Sequence, residues 1–205
     1  MADTALSDNQ LGTLLEAIGA KTPAPGGGAV AAIVGALGAA LGNMVVSYSI
    51  GRKSLAAHQP MLENAAARLG RARDLMIELA EEDAAAFERV GELLKLPADD
   101  PRRVSEMQDA VWLAVQPPRA ALGAAADLLR LLEELVAISN RNLRSDLAIA
   151  ALLAEAAARA AWWNVAANLA SMEGDPRRAG MVTELQGLLR DAADRSERVQ
   201  KACEW

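Results

Sequence analysis

One carboxylate stands where a buried helix face expects an apolar residue. Leu62, Ala65, Leu69, Ala72, Met76, Leu79, Ala86, Val90 and Leu93 recur at the three- and four-residue spacing of a packed helix, and the same series lands on Asp83. Glu81 and Glu82 fall off this stripe, whereas Ala84, Ala85, Ala86 and Phe87 surround Asp83 with apolar groups. A lone carboxylate on a core face is strongly unfavourable unless it is paired or its pKa shifts. Asp83 therefore belongs either to a structural polar network or to a site of acid–base chemistry.

Four other groups of residues have the types a site needs, each with a structural alternative. Pro25-Gly26-Gly27-Gly28 leads into an apolar helix and offers free backbone N–H groups to a ligand, although the same residues also make a tight turn. Arg52 and Lys53 close that uncharged helix, where a cation suits the negative dipole end and is equally suited to a ligand anion or a carboxylate partner. Asn140, Asn142, Ser145 and Asp146 form a polar junction in which Ser145 or Asn142 is placed to cap the next helix and Asp146 sits in its first turn. Asn164 and Asn168 share a face with Ala150, Ala154, Ala157 and Ala161, and buried amides demand partners. Asp146 and Asn164 are separated by about 27 Å along one helix, so one protomer does not bring both to one small reacting centre. Either one of them is structural, or they serve opposite ends of an extended ligand or sites at a subunit interface. His58 reads as a surface or helix-start residue, Trp112 and Trp162-Trp163 as core or interface fillers, and Cys203 as an unlikely nucleophile near a frayed end.

The elements that position these groups are helices. Among 205 residues there are 46 alanines and 29 leucines against one Phe and one Tyr, a composition that helices pack well and sheets do not favour. A net charge of −6 lacks the basic footprint of a nucleic-acid binder, and one Cys with one His supplies neither a disulfide framework nor a zinc cluster. No metal and a reducing, cytoplasmic setting are expected. Thr22 to Gly51 carries no charge, but its Ala and Gly content and its Asn43, Ser47 and Ser49 argue for a buried helix rather than a membrane span. The first ten residues hold two aspartates and no Lys or Arg, unlike a secretory signal.

Helices are predicted over Leu11–Gly19, Gly28 to about Ile50, up to about Lys95, Arg103–Gln116, Arg119–Asn140, Ser145 to about Met172 and Pro176 to about Ala202, with breaks at Pro97–Pro101, Pro117-Pro118 and Gly174–Pro176. In the second helix Gly28, Gly35 and Gly42 recur seven apart with Ala31, Ala32, Gly38 and Ala39 between them, making one small-residue face. Val30, Ile33, Val34, Leu37, Leu41 and Val45 occupy the other side, so this helix should lie at the centre of a bundle or a dimer. No linker divides residues 1–205, and an all-α, single-domain, up-and-down-like bundle around a long central helix follows.

Taken in order, Thr22-Pro-Ala-Pro-Gly-Gly-Gly-Ala-Val-Ala-Ala, Gly51-Arg-Lys, Glu82-Asp-Ala-Ala-Ala-Phe87, Leu96-Pro97, Asn140 through Ser145-Asp146, and Asn164-Val-x-x-Asn168 resemble the cyclodeaminase/cyclohydrolase family. That family includes the C-terminal domain of formiminotransferase-cyclodeaminase and free-standing methenyltetrahydrofolate cyclohydrolases. The resemblance spans nearly the whole chain and implies an all-helical, dimeric enzyme acting on tetrahydrofolate derivatives, with no cofactor beyond that substrate and no nucleic-acid or membrane partner. The family's active-site aspartate falls on Asp83. Gly26, Gly27, Gly28, Arg52, Lys53, Asn140, Ser145, Asp146, Asn164 and Asn168 lie on the family pattern and are carried over as a catalytic partner, Lys53, and substrate contacts. One departure is Ala29, where the family often has Ser or Thr.

No formiminotransferase domain accompanies the chain, which leans toward hydrolysis of 5,10-methenyltetrahydrofolate to 10-formyltetrahydrofolate. Asp83 would stabilise the amidinium-like substrate and orient or deprotonate water, and Lys53 would hold Asp83 ionised or move a proton. Asp146 or Asn140 suits the pterin edge, and Arg52 the glutamate tail. The alternatives are formiminotetrahydrofolate cyclodeaminase and, in a different class, a non-catalytic helical interaction protein whose Asp83 and asparagines fix dimer register.

Overall fold

The computed structural model describes residues 10–22, 24–172, 174–178 and 180–205; Pro23 and most of the segment read as lacking a secretory signal lie outside them. Six α-helices follow in order: α1 (Gln10–Gly19), α2 (Gly27–Ser47), α3 (Gln59–Leu94), α4 (Pro101–Leu135), α5 (Arg144–Ala170) and α6 (Met181–Cys203). Short 3-10 turns cover Lys53–His58, Arg141–Leu143 and Pro176–Arg178, and no strand occurs among the described residues. Helices α2 to α5 form the bundle, and α6 lies against α4 and α5.

The small-residue face of α2 is buried, because it permits contact that larger residues forbid. A Cβ on Gly38 would stand 3.0 Å from the Ala150 carbonyl oxygen and 3.3 Å from the Ala154 nitrogen, so α2 and α5 meet backbone to backbone. Gly35 meets Ala157 and Gly38 meets Ala150, which sets the two helices antiparallel. The opposite side of α2 is only partly covered in the protomer: Leu37 is 55% exposed, and Tyr48 just beyond the helix 64%, whereas Ile33, Val34 and Leu41 pack on the core and Val45, expected on this side, is fully buried. Gly27–Ser47 is long and apolar enough to cross a membrane by composition, yet 56% of that apolar window is buried within this bundle.

On α3 the predicted stripe is the packed one, with Leu62, Ala65, Leu69, Met76, Leu79 and Leu93 buried. Helix α4 starts where Asp100 caps it, its carboxylate accepting from the Arg102 N–H at 2.9 Å, with Pro101 at the first helical position.

The break expected at Pro117-Pro118 does not exist, and α4 runs straight through both prolines. Tertiary packing overrides the local rule in two ways. Both rings are buried. The carbonyl of Ala114, which Pro118 deprives of its helical donor, accepts instead from the Asn168 side-chain amide of α5 at 2.8 Å.

Candidate active site

Asp83 lies against the N-terminus of α2. A Cβ on Gly28 would fall 2.2 Å from Asp83 Oδ1 and 2.4 Å from its Cγ and Oδ2, so the carboxylate occupies the space a side chain would need. Gly26 is the N-terminal cap residue of α2 and carries no capping side chain, which leaves the first-turn N–H groups without helical acceptors. The Asp83 carboxylate faces them. Burial pushes its pKa above the ordinary carboxylate value, and the Ala29 backbone N–H acts in the opposite direction. The glycines therefore face a resident anion at the dipole end that the sequence left open to a ligand.

A cavity of about 200 Å³ opens at this point, lined by Ala24, Gly26, Gly27, Gly28, Asp83, Ala84, Phe87, Ala114, Asn164, Ala167 and Asn168. Its two amides are already oriented. Asn164 donates through Nδ2 to the Ala160 carbonyl at 3.1 Å, and Asn168 through Nδ2 to Ala114 at 2.8 Å. Their Oδ1 atoms remain as acceptors, so Asp83, Asn164 and Asn168 together favour a ligand rich in N–H donors or carrying delocalised positive charge. Phe87, 51% exposed and one turn along α3 from Asp83, gives the mouth a flat apolar wall. In the sequence Phe87 counts as apolar surroundings of Asp83 and as the end of the Glu82–Phe87 family motif, without a role of its own; its being the single Phe of the chain, four residues from Asp83, is the available signal.

The remaining expected residues gather at the other end of α2. Arg52, Ser54, Leu55, His58, Ala137, Ser139, Asn140, Arg141 and Asn142 line a second cavity of about 450 Å³. Lys53 is exposed beside it, Ser145 is exposed and Asp146 half-buried in the first turn of α5. Neither Ser145 nor Asn142 caps a helix by its side chain. Asn140 does so for the 3-10 turn, its Oδ1 accepting from the Asn142 N–H at 3.2 Å, while its own N–H donates to Ser49 Oγ at 2.8 Å and ties the junction to the end of α2. The 21 residues of α2 span about 30 Å, so one protomer separates Lys53 and Arg52 from Asp83 by that length. Sequence reasoning missed His58 and Arg141 as cavity residues, and no local pattern marks either.

An all-α bundle with a half-buried carboxylate held on a glycine helix start, beside two oriented amides, defines the class to which the comparisons then attach. The formiminotransferase-cyclodeaminase family description matches residues 10–186, and the chain belongs to that family. It is 35% identical to chicken (Gallus gallus) formimidoyltransferase-cyclodeaminase over 171 residues, covering 82% of this chain and 32% of that one. The chain thus spans about a third of the length of that two-activity relative. It is 31% identical to the methenyltetrahydrofolate cyclohydrolase of Methylorubrum extorquens over 191 residues, covering 91% of this chain and 92% of that one. Among solved structures, formiminotetrahydrofolate cyclodeaminase of Thermotoga maritima superposes with a TM-score of 0.86 at 29% identity, covering 98% of this chain and 96% of that one.

Proposed function

We propose that this protein is a methenyltetrahydrofolate cyclohydrolase, hydrolysing 5,10-methenyltetrahydrofolate to 10-formyltetrahydrofolate without a cofactor, as a cytoplasmic homodimer. The observation that carries the chemistry is the Asp83 carboxylate, half-buried against Gly28 in a cavity whose other fixed polar side chains present acceptors. The substrate carbon sits between two nitrogens in a cationic amidinium, so it is already electrophilic and requires no metal to activate it. Ionised Asp83 stabilises that cation and takes a proton from the attacking water. The water oxygen bonds to the bridging carbon, the bond from that carbon to N5 breaks, N5 leaves as N–H, and the formyl group stays on N10. One proton is released for each turnover.

The full-length match to the Methylorubrum cyclohydrolase supports this reading. Cyclodeaminase action on 5-formiminotetrahydrofolate is the second reading, favoured by the Thermotoga neighbour and the chicken relative. The two chemistries move the methenyl absorbance in opposite directions, so assaying both substrates decides between them. Loss of the band from added methenyl substrate is expected; its formation from the formimino substrate with ammonia release, and no hydrolysis, would establish the alternative.

A further inference from the structure

We propose that Pro118, which does not line the cavity, is a positioning residue for the Asp83 site: it denies the Ala114 carbonyl its helical donor and so holds the Asn168 amide with its oxygen toward the substrate. This rests on the folate reading above. Proline in a helix interior is strongly unfavourable, yet α4 carries Pro117 and Pro118 in succession, both buried. Each helical N–H serves the carbonyl four residues back, so Pro117 leaves the Leu113 carbonyl without that donor and Pro118 the Ala114 carbonyl. The two positions differ in their surroundings. Leu113 is 60% exposed and lies outside the cavity lining, whereas Ala114 is 6% exposed and belongs to it.

A buried carbonyl left without a donor is unfavourable by more than the net worth of one hydrogen bond, so it selects the orientation of the polar side chain that faces it. That side chain is Asn168, whose Nδ2 donates to Ala114 at 2.8 Å. Turned the other way, the amide would set Oδ1 against the carbonyl oxygen and point its N–H groups into the cavity. Asn164 is the contrast. Its Nδ2 donates to Ala160, a carbonyl that α5 already supplies with a backbone N–H, so nothing comparable fixes its orientation. With Oδ1 inward, Asn168 and Asp83 both accept, which suits the ring N–H groups and cationic centre of the methenyl substrate. With Nδ2 inward, Asn168 would meet those N–H groups donor to donor. Pro118 thus sets the hydrogen-bonding polarity of one wall of the site from a full helical turn away.

Pro118→Ala returns an N–H to Ala114 and frees the Asn168 amide to turn. Pro118→Val does the same while keeping most of the volume of the ring, and Pro117→Ala is the neighbouring control. The measurement is kcat and KM on 5,10-methenyltetrahydrofolate for these three, for Asn168→Ala and for Pro118→Ala/Asn168→Ala, each with a thermal melt. Loss of a helix-interior proline should leave Tm undiminished, so a defect in function is separated from unfolding. Pro118→Ala and Pro118→Val are expected to raise KM about tenfold with kcat little changed, since a ring contact is made in the ground and transition states alike. Pro117→Ala should match wild type, and Pro118→Ala should have no further effect once Asn168 is Ala. Unchanged KM in Pro118→Ala, an equal defect in Pro117→Ala, a defect that Pro118→Val lacks, or the same rise with and without Asn168 would each overturn the proposal. A wild-type protein inert on the methenyl substrate would instead overturn the functional reading, and this proposal with it.

Discussion

Gly28→Ala separates the site from the fold. The added Cβ would stand 2.2 Å from Asp83 Oδ1 and 2.4 Å from Cγ and Oδ2, where ordinary contacts begin near 3.4 Å. The carboxylate must therefore retreat by about 1 Å, and with only two side-chain torsions on a packed helix it does so by leaving the Ala29 N–H. A misplacement of about 1 Å at a reacting centre is worth roughly 100-fold in rate, or about 2.7 kcal/mol of barrier. Stability should change little, because the higher helix propensity of Ala, up to about 1 kcal/mol, offsets the loss of the Ala29 N–H contact. Steady-state turnover of 5,10-methenyltetrahydrofolate and a thermal melt on the same preparation measure both quantities. Gly70→Ala is the control, since nothing lies within 4 Å of a Cβ built there. The expected result is a kcat near one hundredth of wild type with an undiminished Tm for Gly28→Ala, and no change for Gly70→Ala. A Gly28→Ala enzyme within about threefold of wild type would refute the contact as a determinant of catalysis.

Leu37→Glu places a charge on an exposed position of α2 without touching the protomer core and tests the proposed homodimer: gel filtration should show a folded monomer that has lost activity, and an active dimer would put the subunit contact elsewhere. Asn168→Ala strips the Ala114 carbonyl of its side-chain donor and is expected to cost about 1–3 kcal/mol in chemical denaturation. In a Pro118→Ala background a helical N–H returns to Ala114 and that cost should shrink; an equal cost in both backgrounds would contradict the pairing. For pH, the Asp83 pKa is raised in the folded state, so the native protein binds this proton more readily than the unfolded chain. Stability should then fall as pH rises between the unfolded and folded pKa values, while kcat, which needs the ionised form, rises through the folded one. In Asp83→Asn both effects should vanish, and a retained acid limb in kcat would assign it to another group.

Much of this architecture was legible locally. Asp83 was conspicuous because a seven-residue register carries its own expectation, and Gly35, Gly38 and Gly42 announced close packing because glycine in a helix interior is unfavourable without it. Pro117-Pro118 misled because the donor that compensates it, Asn168, is 50 residues away in sequence and reaches Ala114 only through the packing of α5 on α4. Asn168, a substrate contact by the family pattern, commits its nitrogen to the backbone and leaves its oxygen for the cavity. The capping assigned to Ser145 or Asn142 belongs to Asn140, because a 3-10 turn from Arg141 to Leu143 shifts the helix start. The distance between Lys53 and Asp83 was beyond local reasoning altogether. Periodicity gives the face on which a residue lies, whereas the end of the bundle it reaches depends on which helices run antiparallel.

The Asp83 carboxylate is proposed to drive hydrolysis of the methenyl bridge. Its most direct test is the kcat of Asp83→Asn on 5,10-methenyltetrahydrofolate, followed by loss of the methenyl absorbance, because asparagine keeps the shape beside Gly28 and removes only the charge and the base. A fall of roughly 100-fold or more, with the melt unchanged or raised, is the predicted result. A near-wild-type rate in a folded Asp83→Asn enzyme would contradict it.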